Sequence, residues 1–136
     1  MEPMPPDVRA AFDAFPRVAR ERLHAVRAMI FDLAGQDPAI GPISETLKWG
    51  EPAYLTATSG SGSTIRLGVS RTAAGRPAIF FNCRTTLVDE FRDRFGAAFD
   101  YEGNRAVLLP EAGAGERGPL EFMLGRALTY HVRRRA

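Results

Sequence analysis

Residues 64–70 read Thr64-Ile65-Arg66-Leu67-Gly68-Val69-Ser70, and their large apolar side chains occupy every second position. Alternation with a period of two is typical of a β-strand that has one buried face and one open face. Ile65, Leu67 and Val69 are therefore expected in the core, with Arg66 and Gly68 on the opposite face. Because antiparallel sheets are the ones that commonly bury a single face, this strand predicts an antiparallel sheet.

The segments on both sides of this strand predict a meander. The run Ser59-Gly60-Ser61-Gly62-Ser63 has the composition of a turn and separates the strand from a β-like stretch at residues 53–57. A second loop, at residues 73–77, precedes a β-rich stretch at residues 78–84. Three consecutive antiparallel strands follow from this arrangement.

More strands are expected at the two ends of the meander. Residues 97–101 and 105–109 flank the turn Glu102-Gly103-Asn104, whose residues tolerate a positive φ, and they predict a hairpin. Residues 44–49 fit either a turn of helix or a first strand, and both interpretations stay open. The sheet is thus expected to have about five strands.

Two helices are expected before the strands. Asp7 is the expected N-cap of a short helix over residues 7–15, and Pro16 marks the start of the next helix. Gly35 is expected to end this second helix in a left-handed cap. Its apolar side chains recur at helical spacing on one face and should pack on the core: Ala19, Leu23, Val26, Ile30 and Leu33.

Two further helices are expected after the meander. Thr86 and Asp89 form a weak capping box that opens a helix running to about Arg94. Pro119 begins a final helix that ends near Arg133. Together with the strands, these helices predict a single α+β domain over residues 1–136, in which the N- and C-terminal helices cover one face of the sheet.

Composition excludes several classes of protein. The 136 residues are 45% hydrophobic and 25% charged, which is the profile of one globular domain. Lys and Arg number 18 against 16 for Asp and Glu, and this balance is too even for the basic field that nucleic-acid binding needs. The sequence lacks a signal-peptide pattern and an apolar run long enough for a membrane helix. The single cysteine, Cys83, excludes an internal disulfide and fits a reducing compartment, so we expect a cytoplasmic protein.

The open face of the sheet is the candidate functional surface. The same alternation places Ile79, Phe81 and Cys83 in the core, and it leaves aromatic and polar side chains on the other side. Arg66 would favour an anionic or planar ligand there, although a loop or a second subunit that covers the aromatic side chains is an alternative. The predicted ligand-binding residues are Trp49, Tyr54, Arg66, Phe80, Asn82 and Arg105.

Catalytic and metal-binding patterns are weak. His24 and His131 have no partner at the spacing of a zinc site, and we expect His131 to pack against the sheet. Glu45 and Glu51 flank Trp49, and Asp89, Glu90 and Asp93 lie together on a helix, but acidic residues on short helices are usually solvated. Cys83 is expected to be buried and therefore unreactive. We predict no catalytic residue, no metal ligand and no cofactor.

Several segments resemble the signature of the YdhG-like family, domain of unknown function 1801. They are Glu45-Thr46-Leu47-Lys48-Trp49-Gly50-Glu51-Pro52-Ala53-Tyr54, Arg66-Leu67-Gly68, the run from Phe80 to Val88, Tyr101 to Ala106, and Leu128 to His131. The resemblance implies an α+β domain and no settled activity. Some relatives are described as frataxin-like iron chaperones, which would place an acidic ridge on the first long helix. Here that helix instead carries Glu21 and Asp32 among arginines.

These observations favour a binding module, with a ligand or partner site on the open sheet face, over an enzyme. The partner is a small molecule or a protein. Three alternatives stay open: a frataxin-like iron-binding or delivery protein, a homodimer whose interface is the open face, and a Cys83-dependent enzyme acting on a small molecule.

Overall fold

The computed structural model describes residues 2–135, with side chains to residue 132, and it has an α+β fold. All neighbouring strands of its six-stranded sheet are antiparallel, and their spatial order is β1-β2-β3-β4-β6-β5. The predicted α+β class with about five antiparallel strands is confirmed. The strands are β1 (Ser44–Lys48), β2 (Glu51–Leu55), β3 (Ile65–Val69), β4 (Pro77–Phe81), β5 (Asp100–Glu102) and β6 (Ala106–Leu108).

Helices from both ends of the chain enclose one face of this sheet. The helices are α1 (Pro6–Asp13), α2 (Arg17–Gln36), α3 (Leu87–Phe95), α4 (Arg117–Leu128) and α5 (Tyr130–Arg135), with a short 3-10 helix at Gly96–Ala98. Helices α1 and α2 pack on the sheet, and α4 packs on α2 and α3. The apolar face of α2 and the inward side chains of the strands are buried in one cluster, which includes Leu23, Ile30, Ile65, Leu67 and Ile79.

Residues 44–48 form a strand, which resolves the choice between helix and strand at this position. Strand β1 pairs along its whole length with β2, from Ser44 opposite Leu55 to Lys48 opposite Glu51. Only two residues, Trp49 and Gly50, connect the two strands. Such a connection holds the chain in a hairpin, and in a hairpin the first segment is extended.

The prolines, rather than the predicted capping residues, set the ends of the first two helices. Pro6 occupies the first position of α1, so Asp7 lies inside the helix and is not its N-cap. Helix α1 ends at Asp13 instead of Phe15, because the residue before Pro16 avoids the helical conformation. Helix α2 continues through Gly35 and ends at Gln36, and the next residue, Asp37, is extended because it precedes Pro38.

Two predictions for the second half of the chain need correction. Thr86 precedes α3, but its side chain bonds the Glu90 carboxylate rather than a backbone N–H, so no capping box forms. The predicted strand over residues 97–101 is reduced to Asp100–Glu102, since residues 96–98 form the 3-10 helix.

The predicted C-terminal helix is divided at Thr129, where the turn between β2 and β3 meets it. The Ser63 backbone N–H and the Ser61 hydroxyl donate to the carbonyls of Ala127 and Leu128, so this turn takes up acceptors that the end of a helix leaves free. Gly62 permits the approach, because a Cβ atom there would lie 2.6 Å from the Leu128 carbonyl oxygen.

Candidate functional site

The register of the sheet defines its open face. Arg66 lies opposite Phe80 in the neighbouring strand, and Phe80 lies opposite Ala106 in the next one. Residues directly opposite each other in an antiparallel pair share a face, so these three side chains lie on the side away from the helices. The alternation predicted for residues 65–69 therefore extends across β4 and β6.

Two adjoining depressions on this face share Trp49, Arg66 and Arg105, and together we call them the open-face cleft. One has a volume of about 380 Å³ and is completed by Arg71 and Phe80. The other has a volume of about 390 Å³, and its remaining lining residues are Lys48, Thr64, Phe81, Asn82 and Cys83. The cleft thus has an arginine-rich part over Phe80 and a more polar part beside the end of β4.

Phe80 forms the floor of the arginine-rich part. Its side chain is buried, and the guanidinium carbons of Arg66 and Arg71 lie 5.4 and 5.8 Å from its ring centroid. Cations at this distance are attracted by the negative face of an aromatic ring. The ring therefore holds two positive charges close together at the surface.

Two carboxylates partly neutralise the cations of the cleft. Glu51 pairs with Arg66, and Glu102 Oε2 lies 3.6 Å from the terminal nitrogen of Arg105. Burial raises the pKa of the Glu51 carboxyl by more than the nearby Arg66 and Arg71 lower it. Gly68 makes room for this carboxylate, because a Cβ atom there would lie 2.2 Å from Glu51 Oε2.

Trp49 stands at the border between the two parts with 87% of its surface exposed. It is the one described non-glycine residue with a positive φ, at 56°, and Gly50 follows with a φ of 76°. Positive φ at both central residues is the requirement of a type I′ hairpin turn, which favours Asn-Gly over Trp-Gly. A large aromatic residue is therefore held in a strained backbone conformation and presented to solvent.

A loop at residues 70–76 covers the rest of the open face. Ala73 packs on a small apolar cluster formed by Ala78, Phe80, Ala106 and Leu108. Burial of Glu102 opposes its ionisation, but hydrogen bonds from Ser70, Arg71 and Thr72 outweigh this effect and lower the pKa of its carboxyl. This buried carboxylate anchors the loop, and the loop in turn positions Arg71 over Phe80.

Five of the six predicted site residues line the open-face cleft: Trp49, Arg66, Phe80, Asn82 and Arg105. That they bind a ligand stays a prediction. Tyr54 does not belong with them. It lies opposite Ile65 and Glu45, so its side chain enters the core and its hydroxyl donates to the Glu45 carboxylate at 2.8 Å.

Cys83 is exposed and lines the cleft, so the prediction of a buried thiol was wrong. Strand β4 ends at Phe81, opposite the first residue of β3, and alternation has no meaning beyond that point. Asn82 and Cys83 instead enter a turn, in which the Asn82 side-chain oxygen accepts a hydrogen bond from the Arg84 N–H at 2.9 Å.

Sequence reasoning also missed the contributions of Lys48, Glu51 and Arg71 to the cleft. The two-residue turn Trp49-Gly50 could have indicated the first two, because the residues that flank such a turn lie opposite each other and share a face. Arg71 lies in a loop, and no periodic pattern marks its position.

The remaining candidates for chemistry are dispersed. Glu45 faces the core while Glu51 pairs with Arg66 on the open face, and no group of three or more His, Cys, Asp or Glu side chains that could hold a metal ion occurs among the described residues. His131 is exposed rather than packed against the sheet. None of the helices within residues 2–135 combines the length and the hydropathy that crossing a membrane requires.

Comparisons with known proteins do not assign the chain to a family. No protein-family model matches it, and neither a curated protein nor a solved structure matches it at a significant level. The resemblance to the YdhG-like family stays an expectation, and the interpretation of the site rests on its own geometry.

Proposed function

We propose that this protein is a binding module that takes a small anionic ligand in the open-face cleft. The presence of three arginine side chains, Arg66, Arg71 and Arg105, in the lining of one depression carries the proposal. Arginine is always charged and presents a rigid set of N–H donors that suits carboxylate and phosphate groups. Like charges repel one another, and an anion bound among them offsets this repulsion, so a ligand of negative charge is the group that this arrangement favours.

The groups in the cleft are suited to recognition. Its described carboxylates both face arginine, and its described aromatic residues offer a floor at Phe80 and a stacking surface at Trp49. Sites for small molecules typically combine such apolar walls with a few oriented polar groups. Electrostatic attraction and stacking are therefore the interactions that would hold the ligand.

Trp49 makes the proposal easy to test, because it is the one tryptophan of the sequence. The experiment titrates the protein at low salt with phosphate, citrate and benzoate, and with neutral benzamide, while the fluorescence of Trp49 is recorded. We expect at least one anion to change the emission saturably and benzamide to leave it unchanged. If all the compounds leave the emission unchanged and calorimetry detects no binding, the proposal is wrong.

Two arginine variants separate a site from general charge attraction. Arg71→Ala removes an exposed side chain from the cleft and should weaken anion binding by about tenfold, the effect of losing one charge-assisted hydrogen bond. Arg17→Ala removes the same charge from α2, where the side chain is 82% exposed, and should leave the affinity unchanged. Equal effects of the two variants would contradict a localised site.

A second candidate function is thiol chemistry at Cys83, favoured by its exposure in the same depression as Lys48 and Arg105. Basic side chains attract anionic reagents. The ratio of the alkylation rate by iodoacetate to that by iodoacetamide should therefore be higher for Cys83 than for free cysteine. Cys83→Ser distinguishes the two functions, because it abolishes alkylation and leaves reversible anion binding in place. An unchanged ratio of the two rates would exclude this candidate.

A further inference from the structure

We infer that the open-face cleft selects a phosphate monoester that also carries an aromatic ring, of which a nucleoside monophosphate is an ordinary cellular example. The inference rests on the proposed anion-binding function and names the class of ligand. It depends on three features of the cleft: its net charge, the available guanidinium donors and the position of Trp49 between the two depressions.

The charge of the cleft matches a dianion. Its lining includes four cationic side chains, Lys48, Arg66, Arg71 and Arg105, and among the described residues two carboxylates, Glu51 and Glu102, pair with them. The difference, four minus two, is an excess of two positive charges. A phosphate monoester carries a charge of about −1.5 to −2 at pH 7, whereas a carboxylate carries −1 and would leave half of the excess unbalanced.

Donors for the phosphate are available above Phe80. The Arg71 guanidinium makes no hydrogen bond to any other described residue and is held by its contact with the Phe80 ring. Arg66 lies over the same ring, and its pairing with Glu51 uses one of its terminal nitrogens. Two planar guanidinium groups that share one aromatic support can direct several N–H groups at the oxygens of one phosphate.

The second depression has the features of a site for a planar ring. Trp49 lines both depressions, so a ligand with its phosphate over Phe80 could place its other end beside the indole, in the second depression. Thr64 and Asn82 line the same depression, and the Asn82 amide nitrogen has no hydrogen-bond partner among the described residues. A heteroaromatic ring could stack on Trp49 and accept a hydrogen bond from this amide.

Three probes divide this ligand into its parts. The full chain is titrated by calorimetry with adenosine 5′-monophosphate, inorganic phosphate and adenosine, at low salt and at one pH. We expect the monophosphate to bind at least tenfold more tightly than phosphate, the effect of gaining one base–aromatic stack, and adenosine to bind most weakly. The ratio of the affinity for the monophosphate to the affinity for adenosine should decrease as salt is added, because the phosphate contributes through its charge.

The outcomes separate this inference from the proposed function. Equal affinities for phosphate and the monophosphate would overturn the inference while anion binding stands, and so would binding of citrate or benzoate but of neither phosphate compound. Equal affinities for adenosine and the monophosphate would overturn the inference and contradict anion recognition. If no anion binds, both the inference and the proposed function fail.

Three variants test which side chains of the cleft bind the aromatic ring and which bind the phosphate. Trp49→Asn should reduce the ratio of monophosphate to phosphate affinity from at least tenfold to about one. Arg71→Ala should weaken the binding of both compounds, whereas Glu51→Gln should tighten it, because it frees Arg66 and removes a negative charge. Arg17→Ala is the control and should change neither. Thermal melts establish that each variant is folded. An unchanged affinity ratio in a folded Trp49→Asn variant would show that Trp49 does not bind the aromatic ring of the ligand, and would overturn the inference.

Discussion

Trp49 combines a backbone conformation typical of glycine or asparagine with an almost fully exposed indole. Neither feature helps folding, since the left-handed conformation costs about 1–2 kcal/mol for most residues and the exposed ring gains little from burial. Residues of this kind are concentrated at sites where the strain serves a function. The residue that strains the turn is also the one that the proposed ligand would contact.

We therefore predict that Trp49→Asn stabilises the fold by about 1 kcal/mol, because Asn-Gly is the preferred sequence of a type I′ turn. Urea denaturation measures the free energy of unfolding. Trp49→Phe is the matched control, since it keeps a strained aromatic residue and should change stability by less than about 0.5 kcal/mol. A destabilised Trp49→Asn variant would show instead that the indole contributes to packing.

At the scale of elements, strand β5 holds the loop at residues 70–76 through one carboxylate. Glu102 is 5% exposed, and its Oε1 atom accepts hydrogen bonds from the Ser70 hydroxyl at 2.7 Å and from the Arg71 N–H at 3.0 Å. Since the loop positions Arg71, the conformation of the cleft depends on the ionised state of a residue in a neighbouring element.

The lowered pKa of Glu102 predicts how stability changes with pH. The folded state binds fewer protons at this group than the unfolded state does, so its contribution is complete above the ordinary glutamate pKa of about 4.3 and is lost as the pH falls below that value. Glu102→Gln should lower the free energy of unfolding by about 1–2 kcal/mol at pH 7. The difference in stability between this variant and the wild type should become smaller in acid.

Melting temperatures between pH 7 and pH 3 provide the measurement. Asp100→Asn is the control, because Asp100 lies in the same strand with its side chain 69% exposed, and its substitution should have little effect at pH 7. A constant difference between Glu102→Gln and the wild type across this pH range would refute the assigned role of the carboxylate.

For the whole molecule, one buried ion pair joins the N-terminal segment, α2 and the first hairpin. Arg27 donates to both Glu45 oxygens, at 2.6 and 2.9 Å, and to the backbone carbonyl of Glu2. The Tyr54 hydroxyl donates to the same carboxylate. Both charged side chains are 5% exposed, and the hydrogen bond to Glu45 is the main cause of the raised pKa of Arg27.

Arg27→Met should destabilise the protein by about 3–5 kcal/mol, because it leaves the Glu45 carboxylate buried without its partner. The double variant Arg27→Met/Glu45→Met removes both charges and should recover part of this loss. Chemical denaturation compares these variants with Arg17→Met, which breaks an exposed pair and should cost less than about 1 kcal/mol. A cost below 1 kcal/mol for Arg27→Met would mean that solvent reaches Glu45.

The local patterns of the sequence predicted most of the fold and part of the candidate site. Alternation at residues 65–69 and the turn residues around it indicate an antiparallel sheet with one open face, because strand geometry depends on neighbouring residues alone. The same reasoning brought Arg66 and Phe80 together, since both lie in well-marked strands that pair directly.

Tyr54 and Cys83 show what depends on the tertiary structure. A shift of one residue in register exchanges the two faces of a strand, and Ala53 rather than Tyr54 lies opposite Arg66. Cys83 is exposed because β4 ends where β3 begins, and nothing in the sequence of β4 marks that boundary. The sequence by itself determined the central strands, the turns between them and the presence of an open face, because these follow from local conformation. The tertiary structure decided which side chains share that face, because strand register and strand length depend on pairing between distant segments.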